Sequence, residues 1–330
     1  MKKIWITGGG GFIGSNLVLR LQEEFPAAAL TVLDDFRSGS FPNLEGFRGD
    51  FVAADISRLD WQAKFGGKRP DAVFHLASIT DTTLQDQKIQ THDNVEGFRR
   101  LLDYLRPEKT PVVYASSAAT YGIRAGVNRV GDPLAPANAY AFSKVQVENL
   151  ARKIQAEEPA WQIAGLRYFN VYGPREGHKG VPASMAWHLA GQMLMGKRPR
   201  IFKNGQQKRD LVYVNDIVAF TLAALKSGKS GVWNAGSGQP RSFNEMVDGL
   251  NTVLGTKLKP EYFECTYPFY QPHTEADMTA TERDLKIQPK YSLEDGLENY
   301  FKSGWLTKGR VTKKKGRSSS GASAIRRVAR

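Results

Sequence analysis

The chain reads as an α/β protein, a doubly wound parallel sheet with a smaller, partly discontinuous second lobe. Three observations predict this. Short apolar, β-rich runs recur early: KIWIT, LTVLDD, DFVAAD, DAVFHLA, PVVYASS and IAGLRYFN. Stretches with apolar residues at helical spacing separate them, among them Ser15–Phe25, Asn94–Leu105 and Ser143–Gln155. Strand alternating with helix implies parallel strands with helices on both faces. Third, from about Pro240 the chain is richer in prolines, aromatics and turn residues, as a smaller, less regular lobe would be.

The first run, KIWIT, opens directly onto GGGGFIGSN, where Gly8, Gly11 and Gly14 have the spacing G-x-x-G-x-x-G before an amphipathic helix. Glycine permits the tight turn, and backbone N–H groups at a helix N-terminus suit a pyrophosphate. Glycine spacing alone is weak. Position strengthens it: the strand is the first element, and Asp34 ends the next strand, where an acid binds an adenosine ribose hydroxyl. This predicts a Rossmann-type dinucleotide-binding domain over residues 1–170, with 210–237 returning to it as one more strand–helix–strand passage. Residues 171–209 and 238–306 form the expected substrate-binding lobe. Asp34 favours NAD, because a 2′-phosphate would meet a carboxylate; Arg37 could pair with that phosphate and reverse the preference.

Further along, YAFSK places Tyr140 and Lys144 on one helix face. A tyrosine of pKa ~10 is a poor base at neutral pH. A nearby ammonium and the positive charge of a nicotinamide favour its phenolate. A lone Y-x-x-x-K is more often two surface residues. Here YASSAATYG, ending the fifth strand-like run, puts Ser117 at the carboxyl end of the sheet, where ligands of such folds bind. The glycine loop, the serine and the Tyr/Lys pair reinforce one another.

Composition sets the outer limits. Apolar residues make up 41% and charged residues 24% of 330, ordinary for a globular chain. The formal charge of +13 is concentrated at one end: nine of the 46 Lys and Arg lie from Lys308 onward, where no acid occurs, leaving 37 bases against 33 acids before it. Residues 307–330 are therefore expected to be a basic, disordered tail. Cys265 is the single cysteine, so no internal disulfide framework exists, and a reducing compartment is expected. No apolar run reaches the roughly 18 residues of a membrane span. Lys2 and Lys3 before a short apolar run resemble a signal peptide superficially, but the glycines argue against it. A cytoplasmic protein is expected, without membrane partners. His75, His92, His178, His188 and His273 show no metal-ligand spacing, so no metal is expected; His75, ending a buried strand, reads as a core or turn hydrogen-bonder.

With these motifs in place, the chain resembles the extended short-chain dehydrogenases/reductases acting on nucleotide sugars. YASSAATYG and RYFNVYGPREGHKG are closely similar to the ADP-L-glycero-D-manno-heptose 6-epimerase family of lipopolysaccharide precursor synthesis. The resemblance spans about residues 2–305 and implies an isomerase with NADP as its cofactor. It implies Ser117, Tyr140 and Lys144 as the catalytic trio, and Lys179 as a second acid/base across the pocket. Phe12, Ile13, Asp34, Asp35, Leu76, Ala77, Ser78, Ile79, Thr80, Asn94 and Val171 would line the cofactor. Ser117, Asn170, His188, Phe202, Arg209 and Tyr270 would contact the ADP-sugar. A homo-oligomer, commonly a pentamer, is implied too. Two departures stand out: Val181 replaces a serine often found there, and the loop before Arg209 is one residue shorter.

Rivals make different demands. A 4,6-dehydratase would carry an Asp-Glu pair after the active-site hydroxyl residue, where this chain has Ala118 and Ala119. A UDP-hexose 4-epimerase is the alternative on the same scaffold, and Lys179 in its loop is the discriminating feature. A nucleic-acid or anionic-surface binder using the tail would bind with steep salt dependence and lose binding on truncation at Lys308; nucleic acid is not the expected partner.

Overall fold

The computed structural model describes residues 1–81, 86–264 and 272–309. In chain order the elements are β1 (Lys3–Thr7), α1 (Phe12–Glu24), β2 (Ala29–Asp34), β3 (Asp50–Ala53), α2 (Trp61–Phe65), β4 (Ala72–His75), α3 (Gln87–Leu105), β5 (Val112–Ser117), β6 (Val127–Asn128), α4 (Ala139–Glu157), β7 (Ile163–Tyr168) and β8 (Asn170–Tyr172). Then come α5 (Met185–Leu194), β9 (Arg200–Phe202), β10 (Lys208–Tyr213), α6 (Val214–Lys226), β11 (Gly231–Ala235), β12 (Pro240–Ser242), α7 (Phe243–Leu254), β13 (Glu261–Phe263), β14 (Glu275–Ala276), α8 (Thr279–Leu285) and α9 (Leu293–Lys302).

Seven strands form one sheet in the order β11-β7-β5-β4-β1-β2-β3. Every pairing in it is parallel. The period-two alternation of each strand separates two cores. Ile4, Ile6, Val32, Phe74 and Val113 face one side with Leu17 and Phe220 of α1 and α6. Trp5, Leu33, Val73, Val112 and Tyr114 face the other with Phe98 of α3 and Ile154 of α4. Chain order reverses between β1 and β4, which opens a crevice beyond their carboxyl ends.

A third cluster lies outside this sheet and includes Tyr172, Leu189, Ile201, Tyr213, Phe243, Leu250, Leu297 and Leu306. The passage from 208 to 235 divides between sheets: β10 pairs with β8 and β12 in a small three-stranded sheet, whereas β11 forms an edge of the large one. Tail residues 310–330, together with Cys265 and Tyr270, lie outside the described residues.

Candidate active site

Three loops at the carboxyl ends of the strands and one face of α4 surround a cavity of about 790 Å³. The β1–α1 loop contributes Gly8, Gly11, Phe12, Ile13 and Gly14; the end of β2 contributes Asp34, Asp35 and Arg37; the loop after β4 contributes Leu76, Ala77, Ser78, Ile79 and Thr80. Asn94, Ser117, Tyr140, Lys144, Val171 and Lys179 complete it. Sequence-expected catalytic and cofactor positions therefore share one wall system.

The glycines are required by shape. Gly8 has φ +72°, and a Cβ there would stand 2.5 Å from Ala77 N. A Cβ on Gly14 would stand 2.0 Å from the Gly8 oxygen, so α1 can start this close to β1 only with glycine at both positions. Asp34 is buried and its carboxylate accepts from the N–H groups of Gly10 (2.8 Å) and Phe36 (2.8 Å). Burial raises its pKa and these two donors oppose the rise. Asp34 thus braces the glycine loop while facing the cavity.

Arg37 is not free to receive an incoming anion. Its guanidinium lies 2.9 Å from Asp35, 2.7 Å from Asp55 and 2.6 Å from Asp93. Asp55 and Asp93 were not anticipated as cavity residues. The position of Asp55 just beyond the carboxyl end of β3 was the available signal, since that is where such sheets bind ligands.

Asn94 is buried and fixes the loop after β4: its Oδ1 accepts from Ile79 N at 2.7 Å, and its Nδ2 donates to Ile79 O at 3.1 Å and to Ser143 Oγ at 2.9 Å. Ser143 in turn donates to the Tyr140 carbonyl at 2.7 Å, which locks the first turn of α4 to that loop. Asn138 caps this turn, its side chain accepting from Ala141 N at 2.8 Å.

Ser117 ends β5, its Oγ accepting from Ala119 N at 3.1 Å, and lines the same cavity as Tyr140. Lys144 is 3% exposed, and its Nζ donates to the Ala115 carbonyl at 2.8 Å. Burial pushes its pKa down to about 8, with Glu148 opposing. The Tyr140 hydroxyl departs from expectation: burial raises its pKa, with Ser117 the opposing influence. The Lys144 ammonium lies 5.8 Å from the Tyr140 ring centroid and is bound to a β5 carbonyl, so desolvation prevails over its field. A nicotinamide's positive charge would act in the lowering direction.

Lys179 projects from the loop after β8, with Nζ 5.6 Å from the Phe12 ring centroid. It is half-buried, and burial lowers its pKa while Glu176 opposes the fall. The loop is tied to the nucleotide end. Asn16 of α1 donates to Pro174 O at 2.9 Å, and Arg175 donates to Asn43 O at 3.2 Å and Asn16 Oδ1 at 3.3 Å. These contacts hold Arg175 at φ +72°, a left-handed conformation unusual for a side chain of its size. His178, which also faces the cavity, has Nδ1 2.9 Å from the Arg175 carbonyl.

The expected sugar contacts are less gathered. Asn170 Oδ1 accepts from Thr274 Oγ1 at 3.3 Å, and His188 Nε2 lies 3.1 Å from the Val181 carbonyl. Phe202 packs 4.6 Å from Phe263, and Arg209 Nη1 donates to the Lys208 carbonyl at 2.8 Å. Among the described residues, none of these four lines the cavity itself. His75 is a buried hydrogen-bonder: its Nδ1 lies 2.9 Å from Thr7 Oγ1, and burial lowers its pKa to about 3.

A dinucleotide suits these walls on two counts. The glycine cradle leaves no room for Cβ atoms, and buried Ser78 Oγ faces this system without a hydrogen-bond partner among the described residues. Fold and cavity define a dinucleotide-binding α/β enzyme whose cavity wall carries Ser117, Tyr140 and Lys144. The profile of the NAD-dependent epimerase/dehydratase family matches residues 4–236, and the chain belongs to that family, as an isomerase among its nucleotide-sugar epimerases. It is 40% identical to Helicobacter pylori ADP-L-glycero-D-manno-heptose-6-epimerase, covering 92% of this chain and 96% of that one at a TM-score of 0.85. Similarity extends to the UDP-glucose 4-epimerase of Thermotoga maritima, at 29% identity, 92% and 99% coverage and a TM-score of 0.83. A UDP-glucuronic acid 4-epimerase from Bacillus cereus, solved with NAD, shares 27% identity over 92% and 96% of the chains at a TM-score of 0.80. No described helix is long and apolar enough to cross a membrane.

Proposed function

We propose that the chain interconverts ADP-D-glycero-D-manno-heptose and ADP-L-glycero-D-manno-heptose by transient oxidation and reduction at C6″. The carrying observation is that Tyr140 with Ser117, and Lys179 from a separate loop, line the same cavity. A carbon bearing an unactivated hydroxyl does not release its proton readily, so inversion needs a reversible hydride acceptor, which a bound nicotinamide supplies. The glycine loop, Asp34, Asp35, Leu76–Thr80, Asn94, Lys144 and Val171 are the residues proposed to hold it.

The two epimers present their oxygen in different places. Tyr140, which shares the cavity lining with Ser117, takes the proton from one alcohol; after the carbonyl turns its other face, Lys179 returns a proton to oxygen on the far side. Each group then runs in reverse for the opposite direction. Asn170, His188, Phe202, Arg209 and Tyr270 are the proposed ADP-sugar contacts, in a substrate lobe built from 171–209 and 238–306. Cytoplasmic heptose-precursor synthesis by a homo-oligomer completes the reading.

For the cofactor, the resemblance favours NADP, with Arg37 as partner of the 2′-phosphate. The three carboxylates already on Arg37 outweigh this and favour NAD, which we take as the first reading, with NADP the second. The functional test is incubation with ADP-D-glycero-D-manno-heptose and, in parallel, UDP-glucose, following epimer ratios by NMR. Inversion of the heptose alone is expected; inversion of UDP-glucose alone would replace the substrate assignment.

A further inference from the structure

Glu176 lies three residues before Lys179, is fully buried at 0% exposure, and has no task in the chemistry above. Every hydrogen-bonding contact it makes is with a donor. The Gly173 N–H reaches Oε1 at 3.1 Å, the Ser184 N–H reaches Oε2 at 2.6 Å, and the Ser184 hydroxyl reaches Oε1 at 2.8 Å. Protonating the acid would bring a fourth hydrogen among three donors and displace one of them, so the arrangement suits the anion. Burial raises its pKa and these donors hold it back.

Those bonds satisfy the carboxylate's lone pairs but leave its charge. Lys179 lies one turn on, its N–H donating to the Glu176 carbonyl at 3.0 Å, and the two charges favour each other: Lys179 opposes the effect of burial at Glu176, and Glu176 opposes it at Lys179. Other charges nearby are engaged differently. Arg175 is directed to Asn43, Asn16 and the Trp305 ring. His178 is kept toward its neutral form by burial and by Lys179 itself. Tyr140 and Lys144 line the same cavity on α4, with Lys144 bound to the Ala115 carbonyl.

We propose that Glu176 is the positioning residue of the acid/base loop: its carboxylate joins Gly173 to Ser184 across the loop, and its negative charge keeps the half-buried Lys179 ammonium protonated beside the reacting oxygen. This rests on the reading of Lys179 as an acid/base. A carboxamide at the same place keeps most of the shape and removes the charge.

The test is kcat/KM against pH for the parent, Glu176→Gln, Ser184→Ala and Lys179→Met. In Glu176→Gln the limb reporting Lys179 moves to lower pH by about one unit, because the charge favouring the ammonium is gone. Epimerisation releases no net proton and its equilibrium constant is fixed, so the limb moves equally in both directions. Ser184→Ala loosens the loop but keeps the charge; its rate falls and its limbs stay in place. A Glu176→Gln enzyme that is slower with unmoved limbs overturns the proposal and leaves the Lys179 reading standing. Near-parent turnover by Lys179→Met overturns both. Should Glu176→Gln not fold, the Ser184 amide ¹⁵N shift of the parent decides. It is expected to keep one carboxylate-bonded value across the pH range in which the enzyme turns over, and a titration step of Glu176 within that range contradicts the proposal.

Discussion

Three carboxylates converge on the Arg37 guanidinium, so the adenosine end of the cavity carries more negative than positive charge even with the arginine in place. A ribose hydroxyl can donate to such a surface; a 2′-phosphate adds about two negative charges to it and must first compete for charge-assisted bonds that are already made. NAD is therefore expected to bind more tightly than NADP in direct titrations. Arg37→Ala removes the only cation of this group of four and should weaken NADP more than NAD, widening the ratio. Tighter NADP binding by the parent would mean that Arg37 leaves its aspartates for the phosphate. In sequence, Asp34 and Arg37 were legible as opposing signals. Their resolution was not, because Asp55 follows β3, Asp93 lies in α3, and both meet Arg37 only in the folded chain.

At the level of elements, α4 and β5 carry the proposed chemical centre, and the local sequence explains their placement. Asn138 supplies the oxygen that stops α4 one residue before its first turn, and Tyr140 sits on that turn. Asn138→Ala should lower stability by about 1 kcal/mol in denaturant titration. It should reduce kcat more than substrate affinity, since the tyrosine shifts while the rest of the cavity stands. An unchanged kcat with full loss of stability would make the cap structural only. Such elements were readable from short β-rich runs and helical spacing, and every run quoted from the first 170 residues contains or overlaps a strand of the large sheet. The passage 208–235 was readable as strand, helix and strand, but not as divided between two sheets. Periodicity reports which face is apolar, and β10 buries Leu211 and Tyr213 in the third cluster just as a strand of the main sheet would bury its own. The sugar contacts were the least legible in spatial terms, since His188, Phe202 and Arg209 belong to three separate elements of that lobe.

Across the whole molecule, the glycine-loop end and the loop bearing Lys179 are one mechanical unit, joined through Asn16, Asn43 and Arg175. The last described residues belong to it as well. The Trp305 ring lies 5.0 Å from the Arg175 guanidinium carbon and 4.0 Å from Lys308 Nζ, and Leu306 is completely buried. Truncation after Thr307 removes the exposed Lys308–Glu45 pair, worth about 0–1 kcal/mol, and should leave melting temperature and turnover nearly unchanged. Truncation after Ser303 also removes Leu306, whose burial contributes roughly 1.5–3 kcal/mol, and should lower both. Equal behaviour of the two truncations would detach this segment from the loop. The central claim, two proton carriers serving opposite epimers in one cavity, is tested most directly by dismutation of an aldehyde analogue of the oxidised intermediate. One molecule is reduced and another oxidised, and either proton carrier suffices for a half-reaction. Tyr140→Phe and Lys179→Met should each lose epimerisation yet keep part of the dismutation, and the double variant should lose both. Full epimerisation by Lys179→Met with only a raised KM would contradict the account and make the lysine a binding residue.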